Sequence, residues 1–246
     1  MLCPNVNTNF QHKATNMKAR NPILIIIFAA IVLVELLGRM FDFINLEYFA
    51  KPLIMIWIAV FFLLNAEKKS FRIPVLIAFL FSWMGDMLLM FSGSSDNEMF
   101  FYAGVGGFFL AQCMYIYIFI RYAETKTKGF LIRTPLWFIP FVAYLAGIYI
   151  LLFPSIEGMM KPIILVYAIS LVGMSLAALN RKGRVGMESF RWIFLGSVFF
   201  VISDSILAFN KFYFEDGFAY AGFWIMLTYI TAQYYIMRGL ILEKKS

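Results

Sequence analysis

The stretch FFVISDSILAFNKF, residues 199–212, places Asp204 within an apolar run that ends at Asn210 and Lys211. A carboxylate is costly to bury in such a run, so the fold must give Asp204 a partner or a task. The rest of the chain is similarly apolar, because 62% of its 246 residues are hydrophobic and only 14% are charged. This composition lies far outside that of soluble globular domains and predicts an integral membrane protein.

The chain offers little material for metal, disulfide or nucleic-acid chemistry. Its two cysteines, Cys3 and Cys113, lie far apart without ligand spacing, and its one histidine, His12, lies in the polar N-terminal region. The net charge of +7 comes without a basic patch interleaved with aromatic residues. We therefore expect no metal, no cofactor and no nucleic-acid partner.

Eight apolar segments follow one another along the chain, most of them long enough to cross a hydrocarbon core of about 30 Å. They lie at residues 22–38, 52–65, 73–91, 100–120, 134–153, 162–179, 190–210 and 218–238. The second segment is short, and its helix is expected to extend back through Phe49. The pattern predicts an all-α integral membrane protein, a bundle of eight transmembrane helices at residues 22–240 between polar tails at 1–21 and 241–246.

The positive charges predict the orientation of these segments. Seventeen of the 21 Lys and Arg residues fall in the two tails and in the loops after the second, fourth and sixth segments. The other four, Arg39, Lys51, Lys161 and Lys211, fall on the opposite side. By the positive-inside rule both termini are cytoplasmic. The polar first 20 residues favour an uncleaved first segment, and the compact loops favour a bacterial inner membrane.

Three acidic residues are predicted to lie at one depth. Glu35, Asp86 and Asp204 each follow the cytoplasmic end of their segment by 13 or 14 residues, which is about 20 Å along a helix. Glu35 precedes Arg39 by four residues, a spacing that favours a structural ion pair. Asp86 and Asp204 have no basic residue within one turn on their own face, so each is either a hydrogen-bonded tether between helices or a functional group.

Three stretches carry a family resemblance: FSWMGDMLLMF at 81–91, GSVFFVISDSILAFNKF at 196–212 and YITAQYYIMRG at 229–239. Together they resemble the signature motifs of the YhhN family, the lysoplasmalogenases. AKPLIMIW at 50–57 is similar to the Lys-Pro start of the family's second helix. The resemblance runs over nearly the whole of residues 45–240.

One position departs from the pattern that we expect in many relatives. Gln112, in GFFLAQCMYIY at 107–117, stands where a histidine is expected. Glutamine forms hydrogen bonds but does not titrate near neutral pH. A proton-transfer role is therefore not expected for Gln112.

The resemblance implies hydrolysis of the vinyl ether bond of a lysoplasmalogen, a single-chain lysophospholipid, to a fatty aldehyde and a glycerophospho-headgroup. Protonation of the β carbon of a vinyl ether creates an oxocarbenium ion, to which water adds. A low-dielectric layer favours protonated carboxyl groups, and two close carboxyl groups tend to share one proton. We expect Asp86 and Asp204 to face one cavity as a coupled dyad, one donating the proton and the other stabilising the cation and orienting water.

Further residues are candidates for binding the substrate. Lys211 follows Asp204 by seven residues, about 10.5 Å along the same helix face, and is suited to hold the phosphate. Lys51 and Arg39 are expected at a similar depth, although Lys51 and Lys211 are equally expected as ordinary interfacial anchors. The candidate hydrogen-bonding partners are Ser82, Gln112, Ser203, Asn210 and Gln233.

Two other classes of function remain open from the sequence. Intramembrane carboxylates also serve as proton relays, as in a proton-coupled transporter or a lipid scramblase. Inverted repeats or broken helices would favour that class, and the sequence shows neither. The other class is a non-catalytic receptor or structural bundle, in which changes at the acids would affect only assembly.

Overall fold

The computed structural model of the protein describes residues 6–67, 70–94, 97–123, 125, 127–214 and 217–243. Within these ranges the chain is all-helical and has no β-strand. Parts of the predicted tails, residues 1–5 and 244–246, lie outside the described residues. So do Lys68, Lys69 and Lys126 of the charge pattern.

The described part of the chain forms nine α-helices, eight of which have at least 15 residues. In chain order they are α1 (Val6–Phe41), α2 (Ile44–Asn65), α3 (Arg72–Ser94), α4 (Glu98–Arg121), the short α5 (Phe130–Arg133), α6 (Phe138–Leu152), α7 (Met160–Leu179), α8 (Met187–Ala208) and α9 (Ala221–Ile241). A π-helical turn at Phe209–Tyr213 extends α8. Turns of 3-10 helix at Pro135–Trp137 and Phe153–Ser155 flank α6.

Seven of the described helices are long and apolar enough to cross a membrane. They comprise the apolar part of α1, then α2, α3, α4, α6 with its flanking turns, α7, and α8 with its π-helical turn. The eighth predicted segment, 218–238, corresponds to α9, which is long but less apolar than the others. Its lower hydropathy has a structural reason, since polar side chains such as Tyr229 and Gln233 point from α9 into the protein.

The second helix begins earlier than the expected extension of the segment 52–65 back through Phe49. The chain turns sharply at Asp42, whose φ of 55° is in the left-handed region, and α2 then begins at Ile44. Pro52 consequently lies inside α2. Lys51 is therefore not at the end of the helix but two turns within it, where its side chain is buried.

Glycines set the closest helix crossings in the bundle. A Cβ atom on Gly107 of α4 would lie 2.9 Å from the backbone N of Gly85 in α3. A Cβ atom on Gly196 of α8 would lie 2.9 Å from the carbonyl O of Ala232 in α9, and one on Gly239 would lie equally close to that of Ser189. Small residues allow such close approach between membrane helices. These crossings fix α3 against α4 and α8 against α9, the helices that carry Asp86 and Asp204.

Candidate functional site

A polar cavity lies among α1, α2, α3, α4, α8 and α9. Asp86 of α3 and Asp204 of α8 both line it. The cavity has a volume of about 130 Å³, enough for several water molecules at about 30 Å³ each. The structure thus brings together the two acids that are far apart in the sequence.

A buried network of hydrogen bonds surrounds Asp86. The Tyr229 hydroxyl of α9 donates to Asp86 Oδ2 at 2.7 Å. Gln233, one turn further along α9, donates through Nε2 to Ser82 Oγ at 3.0 Å. The Tyr115 hydroxyl of α4 donates to Gln233 Oε1 at 2.6 Å. Ser82 and Gln233 are not among the residues that line the cavity. Gln233 also donates to the Tyr229 hydroxyl at 3.4 Å, so it supports the tyrosine that holds Asp86.

A second network, from α4 and α7, surrounds Asp204. The Tyr167 hydroxyl donates to Asp204 Oδ2 at 2.5 Å, and Gln112 Nε2 donates to the same oxygen at 3.3 Å. Ser170 in turn donates to Gln112 Oε1. Both donors to Asp204 are neutral groups, and both bind one oxygen. Gln112 acts here as a hydrogen-bond donor to Asp204.

Two cations line the polar cavity with the aspartates. Lys51 is 5% exposed and lines the cavity together with Asp86. Arg39 pairs with Glu35 at 3.4 Å, as their four-residue spacing predicts, and with Glu47 at 2.9 Å. Arg39 also lines a surface opening near the turn between α1 and α2, so it lies where the cavity meets the surface.

An apolar slot adjoins the polar cavity, between α6 and the helices α4, α7 and α8. Asp204, Leu89, Phe108 and Leu207 line both spaces, so they form the boundary between them. Asp204 is the one carboxyl group described in both linings. It is therefore positioned to contact an apolar chain in the slot and water in the polar cavity.

The remaining candidates lie around these spaces. Ser203 lines the polar cavity, although its hydroxyl donates to the Ile225 carbonyl at 3.0 Å. Asn210 lines the surface opening and accepts from the Phe218 N–H at 3.2 Å, which fixes the loop before α9. Neither side chain is described in a hydrogen bond to Asp86 or Asp204.

Lys211 lies away from the polar cavity. It belongs to the π-helical turn, in which winding wider than that of an α-helix changes the direction of side chains. Its ammonium group lies 5.3 Å from the centre of the Phe101 ring. Phe101 and Phe212 line both the apolar slot and a polar pocket that contains Lys211. Lys211 thus lies at one mouth of the slot, whereas Lys51 and Arg39 line the polar cavity.

The tyrosines that bind the aspartates were missed by reasoning from the sequence. Tyr167 lies in an apolar segment without a motif, and Tyr229 is the first residue of the stretch YITAQYYIMRG, which by itself indicates no role for it. The chain has 13 tyrosines, so their presence alone is no signal. A hydroxyl at the predicted depth of the acids would have been the only available clue.

Comparison with known proteins identifies a family. The model of the YhhN family matches residues 46–240, which is most of the chain. No curated protein matches the chain. No solved structure matches it either.

Proposed function

The chain belongs to the YhhN family, and from this premise we propose that it is an intramembrane hydrolase that cleaves the vinyl ether bond of lysoplasmalogens. The products are a fatty aldehyde and a glycerophospho-headgroup. The observation that carries the proposal is Asp204, which lines both a water-sized polar cavity shared with Asp86 and an apolar slot. A lipid that is cleaved next to its apolar chain requires an acid with water on one side and an apolar surface on the other.

The polarity of the surroundings distinguishes the two acids. Lys51 and Arg39 line the cavity beside Asp86 and stabilise its anion. Asp204 receives hydrogen bonds only from the neutral Tyr167 and Gln112 among the described residues. We therefore assign Asp204 as the proton donor and Asp86 as the carboxylate that orients water.

The reaction then balances without a further reactant. Asp204 gives its proton to the β carbon of the vinyl ether, and the π electrons form the new C–H bond. Water adds to the α carbon of the oxocarbenium ion and passes a proton to Asp86. In the collapse of the hemiacetal the bond to the glycerol oxygen breaks, Asp86 returns its proton to that oxygen, and the hemiacetal hydroxyl reprotonates Asp204. In glycosidases, too, two carboxyl groups have separate roles in a reaction that passes through a similar oxocarbenium ion.

The cations are assigned to the lipid phosphate. Lys211 lies at a mouth of the apolar slot, and Lys51 and Arg39 lie at the polar cavity, so the phosphate of a lipid that bridges the two spaces is within the reach of positive charge. No cofactor is part of the proposal. The substrate is a lysophospholipid drawn from the surrounding membrane lipids.

We further propose eight crossings with both termini in the cytoplasm, in a bacterial inner membrane. The Ser189 hydroxyl near the start of α8 donates to the Gly239 carbonyl at 2.9 Å, and the Ser203 hydroxyl near its end donates to the Ile225 carbonyl. Since α9 thus follows α8 over most of its length in the opposite direction, it crosses the membrane if α8 does. The excess of Lys and Arg on one side supports the cytoplasmic termini.

The direct test is aldehyde release by the purified protein in liposomes that contain choline or ethanolamine lysoplasmalogen. We expect one trapped aldehyde for each lipid consumed. The same assay with an ester-linked lysophospholipid should give none, because it lacks the vinyl ether. Failure with both headgroups would reject the hydrolase. Proton-dependent lipid movement in such a preparation would instead support the transporter or scramblase.

A further inference from the structure

The helix α6 is the least embedded of the helices that could cross a membrane. Only 6% of its apolar stretch is buried within the protein, against 44% for α7. Side-chain hydrogen bonds attach it at two points. The Tyr144 hydroxyl contacts Ser205 of α8, and the Tyr149 hydroxyl donates to the Lys161 carbonyl at 3.3 Å. α6 is therefore weakly attached to the rest of the protein, and it separates the protein interior from the surrounding lipid.

The apolar slot lies on the inner side of α6. Tyr144, Ile148, Tyr149 and Leu152 of α6 line one side of it. Ala168 and Val172 are among the residues of α7 on the facing side. Apolar side chains dominate the lining, and the carboxyl group of Asp204 is the charged group within it. Such a lining suits a hydrocarbon chain whose reactive end lies at Asp204.

α6 forms one side of the slot, whose volume is about 70 Å³. Outward movement of α6 would therefore widen the slot for a long chain. The 3-10 turns at both ends of α6 are positions where a change of backbone angles can tilt a helix as a unit.

We propose that the apolar slot binds the hydrocarbon chain of the substrate. The chain enters the slot from the bilayer at α6, and the side chain of Ala168 limits the size of the chain that fits. This inference rests on the proposed hydrolysis. It adds the location of the chain, the direction from which it arrives and a residue that determines specificity. The headgroup remains at the polar side of Asp204, so the aldehyde and the glycerophospho product leave by different routes.

The test compares two substrates on two matched variants. Ala168→Phe places a ring in the slot, whereas Ala146→Phe places one on the exposed, lipid-facing side of α6, outside the slot. The substrates are a lysoplasmalogen with a long alkenyl chain and an analogue with a four-carbon alkenyl chain. In Ala168→Phe the ratio of kcat/KM for the long over the short chain should fall at least about tenfold, because several methylenes lose their burial. In Ala146→Phe it should stay at the wild-type value.

The outcomes distinguish a failure of the proposed slot from a failure of the proposed hydrolysis. An unchanged ratio in a folded Ala168→Phe variant, with the wild type active on both substrates, would overturn the slot and leave the hydrolase standing. A wild type that cleaves neither substrate would overturn the hydrolase. A photoreactive lysophosphatidylcholine with a diazirine on its chain tests the slot in the unmodified protein. Crosslinks are expected within residues 144–152 or 164–172, and crosslinks confined to α1 and α2 would contradict the proposal.

Discussion

Each of the two buried aspartates is held by a tyrosine from another helix. Tyr229 donates to Asp86 at 2.7 Å, and Tyr167 donates to Asp204 at 2.5 Å. A typical hydrogen bond contributes about 0.5–1.5 kcal/mol, and it also fixes the direction of the carboxyl group. The tyrosines are therefore positioning residues that orient the acids.

Removing either phenol should lower turnover without unfolding the protein. Tyr167→Phe and Tyr229→Phe should each reduce kcat about tenfold to a hundredfold, with a small change of KM, since the lost bond orients the acid rather than the lipid. Initial rates of aldehyde release over a range of lipid concentrations measure this. Tyr117→Phe, at an exposed position of α4, is the matched control. A large rise of KM with kcat unchanged would contradict the positioning role.

The sequence shows the acids clearly and their partners poorly. Asp86 and Asp204 stand out because a carboxyl group in an apolar segment is expensive and needs an explanation. A tyrosine in a membrane helix needs no such explanation, since most of its surface is apolar and its hydroxyl is a common anchor at the interface. Which phenol meets which carboxyl depends on which helices are neighbours, and helical periodicity does not specify this.

The crossing of α3 and α4 positions Asp86, which directly follows Gly85. The backbones approach so closely at Gly85 and Gly107 that there is no room for a side chain on Gly107. The neighbouring Gly106 has no atom within 4 Å of the place where its Cβ would be. Two adjacent glycines of one helix thus have opposite structural roles.

This contrast predicts opposite effects of one substitution. Gly107→Ala should lower the unfolding temperature by several degrees and reduce aldehyde release, because it separates α3 from α4 and moves Asp86. Gly106→Ala should leave activity unchanged and slightly raise stability, by up to about 1 kcal/mol, since alanine restricts the unfolded chain more than glycine. Thermal unfolding in detergent, with the rate assay, measures both. Equal unfolding temperatures for the two variants would contradict the tight crossing.

Helix positions were predicted well and helix ends less well. The apolar lengths locate the segments because a membrane span requires about 20 apolar residues. The start of α2 at Ile44 was missed because Pro52 is typical of a first helical turn. The π-helical turn that redirects Lys211 was missed for a related reason, since no residue pattern marks the change from α to π winding.

The charge pattern and the pairing of α8 with α9 support the proposed topology of eight crossings with both termini in the cytoplasm. Residues 180–186 between α7 and α8 should lie on the same side as the C terminus if α9 crosses the membrane. The residues between α6 and α7, which include Glu157, should lie on the opposite side. Seven crossings would instead place the C terminus with Glu157.

Single cysteines distinguish these topologies. In a background with Cys3 and Cys113 replaced by serine, we expect Gly183→Cys and Ser246→Cys to be protected from a membrane-impermeant maleimide in intact cells. Glu157→Cys should react, since Glu157 is exposed in its loop. Disruption of the membrane should expose all three. Reaction of Ser246→Cys in intact cells, with Gly183→Cys protected, would rule out the eighth crossing.

Aldehyde release by Asp86→Asn and Asp204→Asn in liposomes tests whether Asp86 and Asp204 together cleave a vinyl ether in one cavity. General acid–base catalysis contributes about a hundredfold to ten-thousandfold. Each variant should therefore lose at least about a hundredfold in rate while keeping the unfolding temperature near that of the wild type. Glu157→Gln, an exposed acid outside the site, should keep its full rate. Near-wild-type aldehyde release by either aspartate variant would contradict the account.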